Sequence, residues 1–267
     1  MKTFYLTLII LSINFRGFSQ NKLQDDFKYK ITYNLTYNLD STSLEKPKSE
    51  LMILYFGDNL SLFSSRAKTL ANPIVVRGNS GHTSRSALTK FHYEILKDIR
   101  TDKLYYTLQI PKMQDQFYYI QNKNLFNWNI LEETKQIKGY KVQKATTSFA
   151  GRNYIAWFSP EIPIAEGPYK FNGLPGLILE ISDTANDYVF EFIGLEKKSP
   201  KLPYKINLKQ YVKTEKEELL DLWHRYRSDP FTYANNPNVK ISPENHKKYL
   251  KYWTEMLKKE NNPLELK

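Results

Sequence analysis

The sequence predicts a mainly β protein, a curved antiparallel meander sheet or half-open barrel with two C-terminal helices. Short runs of aromatic and β-branched residues recur between turn-forming residues, which is the pattern of an antiparallel meander. From about residue 214 onward, the spacing of apolar residues becomes helical. No Gly/Ser-rich or Pro-rich linker divides the 267 residues, so we expect one domain over residues 20–267.

Residues 1–19 predict a signal peptide. Lys2 precedes an apolar run, Phe4 to Phe15, that is too short for a membrane-spanning helix but suits the core of a signal peptide. Gly17 and Ser19 are small residues at the positions that a signal peptidase requires. We therefore expect cleavage between Ser19 and Gln20, a periplasmic or secreted protein, and no transmembrane anchor in the mature chain.

The strands are predicted in consecutive hairpins. Large apolar and polar side chains alternate from Tyr29 to Tyr37, which gives that strand one buried and one wet face. The hairpins that follow are 51–56 with 60–64, 93–99 with 104–110, 117–120 with 125–130, 140–149 with 154–158, and 177–181 with 188–195. About ten or eleven strands in one sheet are expected to curl or to split into two layers.

A proline-rich crossing interrupts the meander from Trp157 to Tyr169, because proline cannot donate a hydrogen bond to a neighbouring strand. Beyond it, the order Leu-Pro-Gly-Leu predicts a type II turn, in which proline sets φ at the second position and glycine supplies the positive φ of the third. The residues assigned to this structural turn are Gly173, Leu174, Pro175 and Gly176.

Two helices are predicted after the sheet. Thr214 to Glu217 has the spacing of a capping box, and Ser242-Pro243-Glu244 supplies a cap, an N1 proline and an acid in the first turn. The apolar stripes that follow are Leu219, Leu222, Trp223 and Tyr226, and then Tyr249, Leu250, Trp253, Met256 and Leu257. Each helix is expected to cover an apolar surface of the sheet.

The hexapeptide Gly-Leu-Pro-Gly-Leu-Ile at residues 173–178 resembles the signature of the GLPGLI family, a group of exported, largely uncharacterised bacterial proteins. The resemblance extends to Gly139–Ala145, Ala156–Ile162 and Asn262–Lys267, and so covers the second half of the chain. It implies export and a β-rich fold. It brings no catalytic residues with it.

The formal net charge of +11 favours anionic partners such as envelope polysaccharides, lipid headgroups or acidic proteins. Export argues against nucleic acid, and lysines kept for solubility are the simpler explanation of the charge. The chain contains no cysteine, which excludes both a lipid-anchored lipoprotein and disulfide bonds.

The segment from Asn59 to Tyr93 contains no acidic residue, and its centre is small, polar and typical of a long exposed loop. A basic loop on a β scaffold predicts an anion-recognition element, and an insertion without a partner is the alternative. The candidate anion-binding residues are Arg66, Lys68, Arg77, Arg85 and Lys90.

No catalytic, metal or cofactor motif occurs in the chain, so we predict no cofactor. His82, His92, His224 and His246 lack the spacing of zinc ligands, and there is no nucleophile elbow, Walker loop or dinucleotide fingerprint. Glu161, Glu166 and Glu180, close to the proline-rich crossing, are the carboxylates from which a glycoside hydrolase site would be built. Acids beside Arg152 and Lys170 are more often ion-paired supports.

Three functional hypotheses follow. The first is an exported, non-catalytic binding or accessory protein of the bacterial envelope, which holds a hydrophobic, glycan or peptide ligand on a concave aromatic face with the basic loop at its rim. The second is a hydrolase that uses the carboxylates near the hexapeptide. The third is a module that docks on an outer-membrane transporter through an exposed sheet edge.

Overall fold

The computed structural model describes residues 22–43, 45–71, 89–110, 115–230, 232 and 241–266. The predicted signal peptide, with Ser19 and Gln20, lies outside these residues, as do Arg77, Arg85 and His82. The strands are β1 Lys22–Tyr37, β2 Lys48–Phe56, β3 Leu60–Ser65, β4 Tyr93–Asp98, β5 Lys103–Gln109, β6 Gln116–Asn122, β7 Asn129–Ile137, β8 Tyr140–Phe149, β9 Arg152–Ser159, β10 Leu177–Asp183, β11 Tyr188–Asn207 and β12 Val212–Lys213. The helices are α1 Arg66–Ala71, α2 Lys216–Ser228 and α3 Pro243–Lys258, with a 3₁₀ turn at Leu208–Gln210.

The described strands form one open sheet in the order β12-β6-β5-β4-β3-β2-β1-β11-β10-β9-β8-β7. Every neighbouring pair is antiparallel except β12 and β6, which are parallel. The chain runs outward from the central β1 to β6, crosses to β7 at the opposite edge, and returns strand by strand to β11. The predicted class is therefore confirmed as a mainly β, open meander sheet with two C-terminal helices.

One predicted hairpin is wrong. Residues 117–120 were expected to pair with 125–130, but β6 pairs with β5 and β7 pairs with β8 at the far edge of the sheet. The connection between them contributes aromatic side chains to the interior instead of a turn. The Phe126 ring lies 5.0 Å from the Phe171 ring, and Trp128 Nε1 donates a hydrogen bond to the Asn172 carbonyl at 2.8 Å.

The first core lies on the inner face of the sheet. Ile31, Phe63 and Phe158 are fully buried there. The crossing between β9 and β10, residues 160–176, packs against the same face with Ile162, Ile164, Tyr169, Phe171 and Leu174. The aromatic face that the sequence suggested as an open ligand groove is therefore filled by the chain itself, which corrects that prediction.

The second core lies on the outer face of β2 to β6. The first residues of β1 and the last residues of β11 form a two-stranded arm, residues 22–27 paired with 202–207. Phe27 of this arm stacks on Tyr55 of β2 at 5.6 Å and also contacts Tyr204 at 5.0 Å. The side chain of Asp25 accepts hydrogen bonds from the backbone of Asn59 and Leu60, which joins the arm to the β2–β3 turn. Both faces of β2 to β6 are thus covered.

The two helices differ in burial. α2 buries Leu219 and Tyr226 in the first core, as the sequence predicted, although its capping box is formed by Glu215 and Glu218, one residue later than expected. α3 begins at the predicted Ser242 cap but buries no residue. The expectation that each helix covers an apolar surface of the sheet therefore holds for α2 alone.

Candidate functional site

A cleft of about 230 Å³ opens on the outer face where β10 and β11 separate. These strands pair only from Glu180 to Ser182, and β10 is bulged between Ile178 and Glu180 in its pairing with β9. The cleft is lined by Asn34, Ile137, Lys138, Leu179, Glu180, Glu191, Phe192 and Ile193.

The lining combines an apolar floor with a polar rim. Leu179 and Phe192 are buried core residues that form the floor, whereas Ile193 is 48% exposed. Ile137 and Lys138 enter from the β7–β8 turn. This composition matches the usual ligand site, in which apolar surface provides affinity and a few polar groups fix the orientation.

Two carboxylates face each other across the rim. Glu180 of β10 is directly opposite Glu191 of β11 in the antiparallel register, an arrangement of like charges that destabilises a sheet. Lys135 Nζ lies 2.8 Å from Glu180 and also sits over the Trp157 ring at 4.3 Å. Asn34 Nδ2 donates to Glu191 at 3.4 Å. The rim can therefore receive an ammonium group or hydroxyl donors from a ligand.

The hexapeptide at residues 173–178 lies behind this cleft and determines where β10 begins. Leu177 N donates to the Ile162 carbonyl and Ile178 N to the Glu166 carbonyl, both at 3.0 Å. The Tyr33 hydroxyl donates to the Ile178 carbonyl at 2.8 Å. The crossing and β1 thus satisfy backbone groups of β10 that β11 does not reach.

The turn itself differs from the prediction. Gly176 N donates to the Leu174 carbonyl at 2.8 Å, so the hydrogen bond spans three residues, as in a γ-turn, and not four as in a type II turn. The φ of Gly176 is +155°, positive as predicted, and that of Gly173 is +92°. A Cβ on Gly176 would overlap the carbonyl of Ser159. Glycine is needed there chiefly because two backbones approach closely.

The three carboxylates considered for hydrolysis do not meet. Glu161 is exposed, and Glu180 lies at the cleft rim. Glu166 is buried inside the sheet, where Lys97 Nζ lies 2.5 Å from its carboxylate and donates to the Phe171 carbonyl at 3.1 Å. Glu166 is therefore an ion-paired support of the crossing, and it does not reach solvent.

Among the described residues, no histidine lines the cleft. His92 lies beside Trp223, with 5.4 Å between ring centres, and burial lowers its pKa to about 4 with help from the nearby charges of Lys68, Arg227 and Lys90. His246 Nε2 is 3.0 Å from Asp229. Both histidines are thus placed by contacts outside the cleft.

The basic loop is described only at its two ends. Arg66 is exposed at the start of α1. Lys68 donates to the His92 carbonyl at 2.9 Å and lies 3.6 Å from Glu94, and burial lowers its pKa. Lys90 pairs with Glu260 at 3.0 Å. Because Lys68 and Lys90 already contact carboxylates, the anion-recognition role remains a prediction that depends on Arg66, Arg77 and Arg85.

The docking hypothesis relies on an exposed sheet edge, and β7 is one of the two edge strands of the described sheet. In the described residues β7 pairs with β8 alone, and its pairing is interrupted between Ile130 and Thr134. Glu132 and Glu133 lie within this bulge, and Lys135 follows it. Bulges and charges protect an edge strand from adding another strand, so the edge is less suited to docking than the neighbouring cleft.

Within the ranges that the structure describes, no three His, Asp or Glu side chains come together as a metal site. The helices of those same ranges include none with the length and apolar character needed to cross a bilayer.

Sequence reasoning found Glu180 but missed the other residues of the cleft. Glu191 and Asn34 are polar positions in alternating strands, and alternation does indicate that they face outward. It does not indicate that β11 lies between β10 and β1 in the sheet. This strand order brings the three side chains together. Ile137 comes from the β7–β8 turn, at the β7 edge of the sheet.

An open, mostly antiparallel sheet with a cleft at its centre is the class that these features define. The profile of a family described as "Protein of unknown function (Porph_ging)" matches residues 150–180, from the β8–β9 turn to Glu180. This match is consistent with the resemblance to the GLPGLI family. No curated protein matches the chain.

Among solved structures, the chain is similar to PNGF-II in two crystal forms. In space group P21 the TM-score is 0.54 at 14% identity, over 75% of this chain and 34% of PNGF-II. In space group C2 the TM-score is 0.53 at 15% identity, over 75% and 33% of the two chains. The chain therefore spans about a third of the length of PNGF-II, and similarity at this level of identity concerns the fold alone.

Proposed function

We propose that this protein is an exported, non-catalytic binding or accessory protein of the bacterial envelope, and that it holds its ligand in the cleft between β10 and β11. The observation that supports this proposal is the composition of the cleft, an apolar floor of Leu179 and Phe192 beside the opposed carboxylates of Glu180 and Glu191. Charged groups of a site select its ligands by charge complementarity, and Glu191 is the carboxylate of this rim that lies opposite the Lys135–Glu180 pair.

The ligand is a peptide segment that presents an apolar side chain next to a basic one. A volume of about 230 Å³ is smaller than sites for drug-sized molecules, which occupy roughly 300–1,000 Å³, and suits one or two side chains. An ammonium or guanidinium group between Glu180 and Glu191 would relieve their mutual repulsion. Asn34 and Lys138 supply further hydrogen bonds at the rim.

The same lining supports a non-catalytic role. Among the described residues it contains no histidine, serine or threonine that could form a hydroxyl nucleophile activated by a histidine base. Glu180 is held by Lys135 at 2.8 Å.

Native mass spectrometry of the protein purified from its own envelope tests the proposal. We expect a retained ligand in the wild type and its loss in Asn34→Trp, which fills the cleft. Thr146→Trp is the matched control, because Thr146 is a half-buried residue of β8 outside the cleft. Equal retention by both variants would place the ligand elsewhere.

Intact-mass analysis of the exported protein should give Gln20 as its first residue.

The hydrolase hypothesis keeps one specific observation in its favour. Glu180 and Glu191 are directly opposed in the antiparallel register, which brings two carboxylates to one site, and retaining glycosidases use a pair of carboxylates about 5 Å apart. Chromogenic glycosides tested with wild type, Glu180→Gln and Glu191→Gln distinguish the two functions. Turnover that either variant abolishes would establish the hydrolase and overturn the non-catalytic proposal.

A further inference from the structure

Residues 261–266 lie in a second groove, formed by the β8–β9 turn, β9 and the start of β11. This segment follows α3 and has no regular secondary structure. Side chains of the groove bind three successive backbone carbonyls. Tyr188 donates to the Asn262 carbonyl at 2.6 Å, Arg152 to that of Pro263 at 2.7 Å, and Tyr154 to that of Leu264 at 3.2 Å.

Backbone amides anchor the same segment at both ends. Asn262 N donates to the Leu39 carbonyl at 2.9 Å, and Leu266 N donates to the Ala150 carbonyl at 2.8 Å. Main-chain bonds of this kind give affinity for an extended peptide of any sequence, whereas side-chain contacts give specificity.

The asparagine at position 262 is recognised by its side chain. Arg152 donates to its Oδ1, and its Nδ2 donates to the Asn38 carbonyl at 2.9 Å. Arg152 is fixed for this task, since Asp183 holds it at 2.9 Å and Tyr188 lies beneath its guanidinium at 5.1 Å. A preorganised donor binds without an ordering cost at the moment of recognition.

The leucine and the glutamate of the segment are recognised as well. Leu264 is buried in the first core. The Glu265 carboxylate is held by Lys170 at 2.5 Å and Lys216 at 3.0 Å, and it accepts a hydrogen bond from the Tyr169 hydroxyl. Burial alone would raise the pKa of Glu265, but the charge and hydrogen bond of Lys170, with Tyr169 and Lys216, lower it below the usual value.

The helix before this segment is less buried than the segment itself. α3 buries no residue, whereas Asn262 and Leu264 are buried. The backbone of the segment and its asparagine, leucine and glutamate each contact a separate group of the protein. An extended peptide ligand is bound in the same way.

We propose that this groove is a peptide-recognition site for an extended Asn-Pro-Leu-Glu segment, occupied by residues 261–266 of the same chain and open to the same segment of a second copy when those residues leave. The full-length mature protein tests this with a fluorescent synthetic peptide of sequence Asn-Asn-Pro-Leu-Glu-Leu. Binding should be about tenfold tighter in Asn262→Ala with Glu265→Gln than in wild type, because the intact groove of that variant is more often vacant. Equal binding to both proteins, or to neither, would overturn the proposal.

Two controls address specificity. In the same double variant, Lys216→Gln should weaken the peptide several-fold, whereas Lys213→Gln, at an exposed lysine of β12, should not. A peptide with glutamine in place of its glutamate should bind more weakly to the double variant itself. If Lys216→Gln and Lys213→Gln behave alike, the glutamate is not recognised in this groove.

A measurement on the wild type alone covers the case in which the double variant does not fold. Hydrogen exchange should show the amides of Asn262 and Leu266 opening locally, at least tenfold faster than amides of β9 and β10. Exchange of the segment at the same rate as those strands would mean that it leaves only on global unfolding, and the proposal would be wrong.

Discussion

The sheet is covered differently on the two sides of its central strands. β2 to β6 lie between two apolar cores, with the crossing on one face and the arm of β1 and β11 on the other. β7 to β10 have the first core on one face, while their outer face carries the ion pairs of Lys135 with Glu180 and Lys144 with Glu133. The difference separates two tasks, because a region buried on both faces stabilises the fold and a face left open is available to a ligand.

The first core also contains buried charges. Lys97 with Glu166, Arg152 with Asp183 and Lys170 with Glu265 are buried ion pairs that hold the crossing and the 261–266 segment against strands of both halves of the sheet. Apolar burial tolerates changes of shape, whereas a buried ion pair requires both of its members. We therefore expect substitutions at these ion pairs, at purely apolar positions and on the open outer face to have different effects.

The largest effect should come from Gly176→Ala at the start of β10. The added Cβ would overlap the Ser159 carbonyl, so we expect a loss of about 4 kcal/mol or more in the free energy of unfolding. Gly176→Asn should be equally damaging, because any Cβ meets the same backbone. Gly139→Ala is the control, since φ there is +88° but nothing lies within 4 Å, and it should cost about 1 kcal/mol. Urea unfolding measures all three, and equal losses at the two glycines would contradict the close-approach argument.

Lys97→Met should lower the free energy of unfolding by about 3 to 4 kcal/mol, because it leaves the Glu166 carboxylate buried without its partner. The double variant Lys97→Met with Glu166→Leu should recover most of that loss. Lys135→Met, which breaks a half-exposed pair with Glu180, should cost less than about 1 kcal/mol. A double variant no more stable than the single one would show that the pair is not a unit.

Phe27→Ala should cost about 3 kcal/mol, because the ring fills the second core between Tyr55 and Tyr204. Trp157→Ala on the open outer face of β9 should cost about 1 kcal/mol, since that ring is only half-buried. Thermal unfolding of both variants tests the contrast directly. Similar losses would mean that the outer face of β7 to β10 contributes as much to stability as the second core.

Acidification should destabilise the protein through Glu265. A carboxyl group whose pKa is lowered by folding contributes stability above its usual value, and this stability is lost as the pH falls toward its folded pKa. The free energy of unfolding should therefore decrease from neutral pH to below 4.5, the usual value for Glu265. Glu265→Gln should show a shallower decrease over that range, and an unchanged pH profile in this variant would rule out the role of Glu265.

The smallest expected effect concerns the opposed carboxylates of the cleft. Glu191→Thr should stabilise the unliganded protein by about 0.5 kcal/mol, because it removes a like-charge pair across β10 and β11. The same substitution should weaken binding of a basic peptide ligand. A variant that is destabilised, or that binds such a ligand unchanged, would argue against a binding rim at this position.

The fold class was predictable because periodicity and turn residues are local. Alternation from Tyr29 to Tyr37 and the capping residues of α3 appear in the structure where the sequence predicts them. The β6–β7 connection was not predictable from local pattern. Phe126 and Trp128 are residue types that favour strands, but here they pack against Phe171. Only the tertiary structure decides between those two uses of an aromatic residue.

The cleft was less predictable than the fold. Glu180 attracted attention as one of several acids, but its significance comes from Glu191 across the register and from the gap beyond it. The sequence predicted a positive φ for Gly176. The tighter constraint is the backbone of Ser159, which belongs to β9 on the other side of the crossing. Contacts between distant segments leave no local pattern.

The position of β1 at the centre of the sheet also determines the order in which the protein can form. β1 pairs with β2 through a short connection, so this hairpin is available early. Its other edge pairs with β11, which is among the last strands to be synthesised. Long-range pairing of this kind is slow and leaves a strand edge exposed while the chain is incomplete. Folding of this protein therefore finishes only after residues 188–207 have been synthesised. Until then, one edge of β1 has no partner strand.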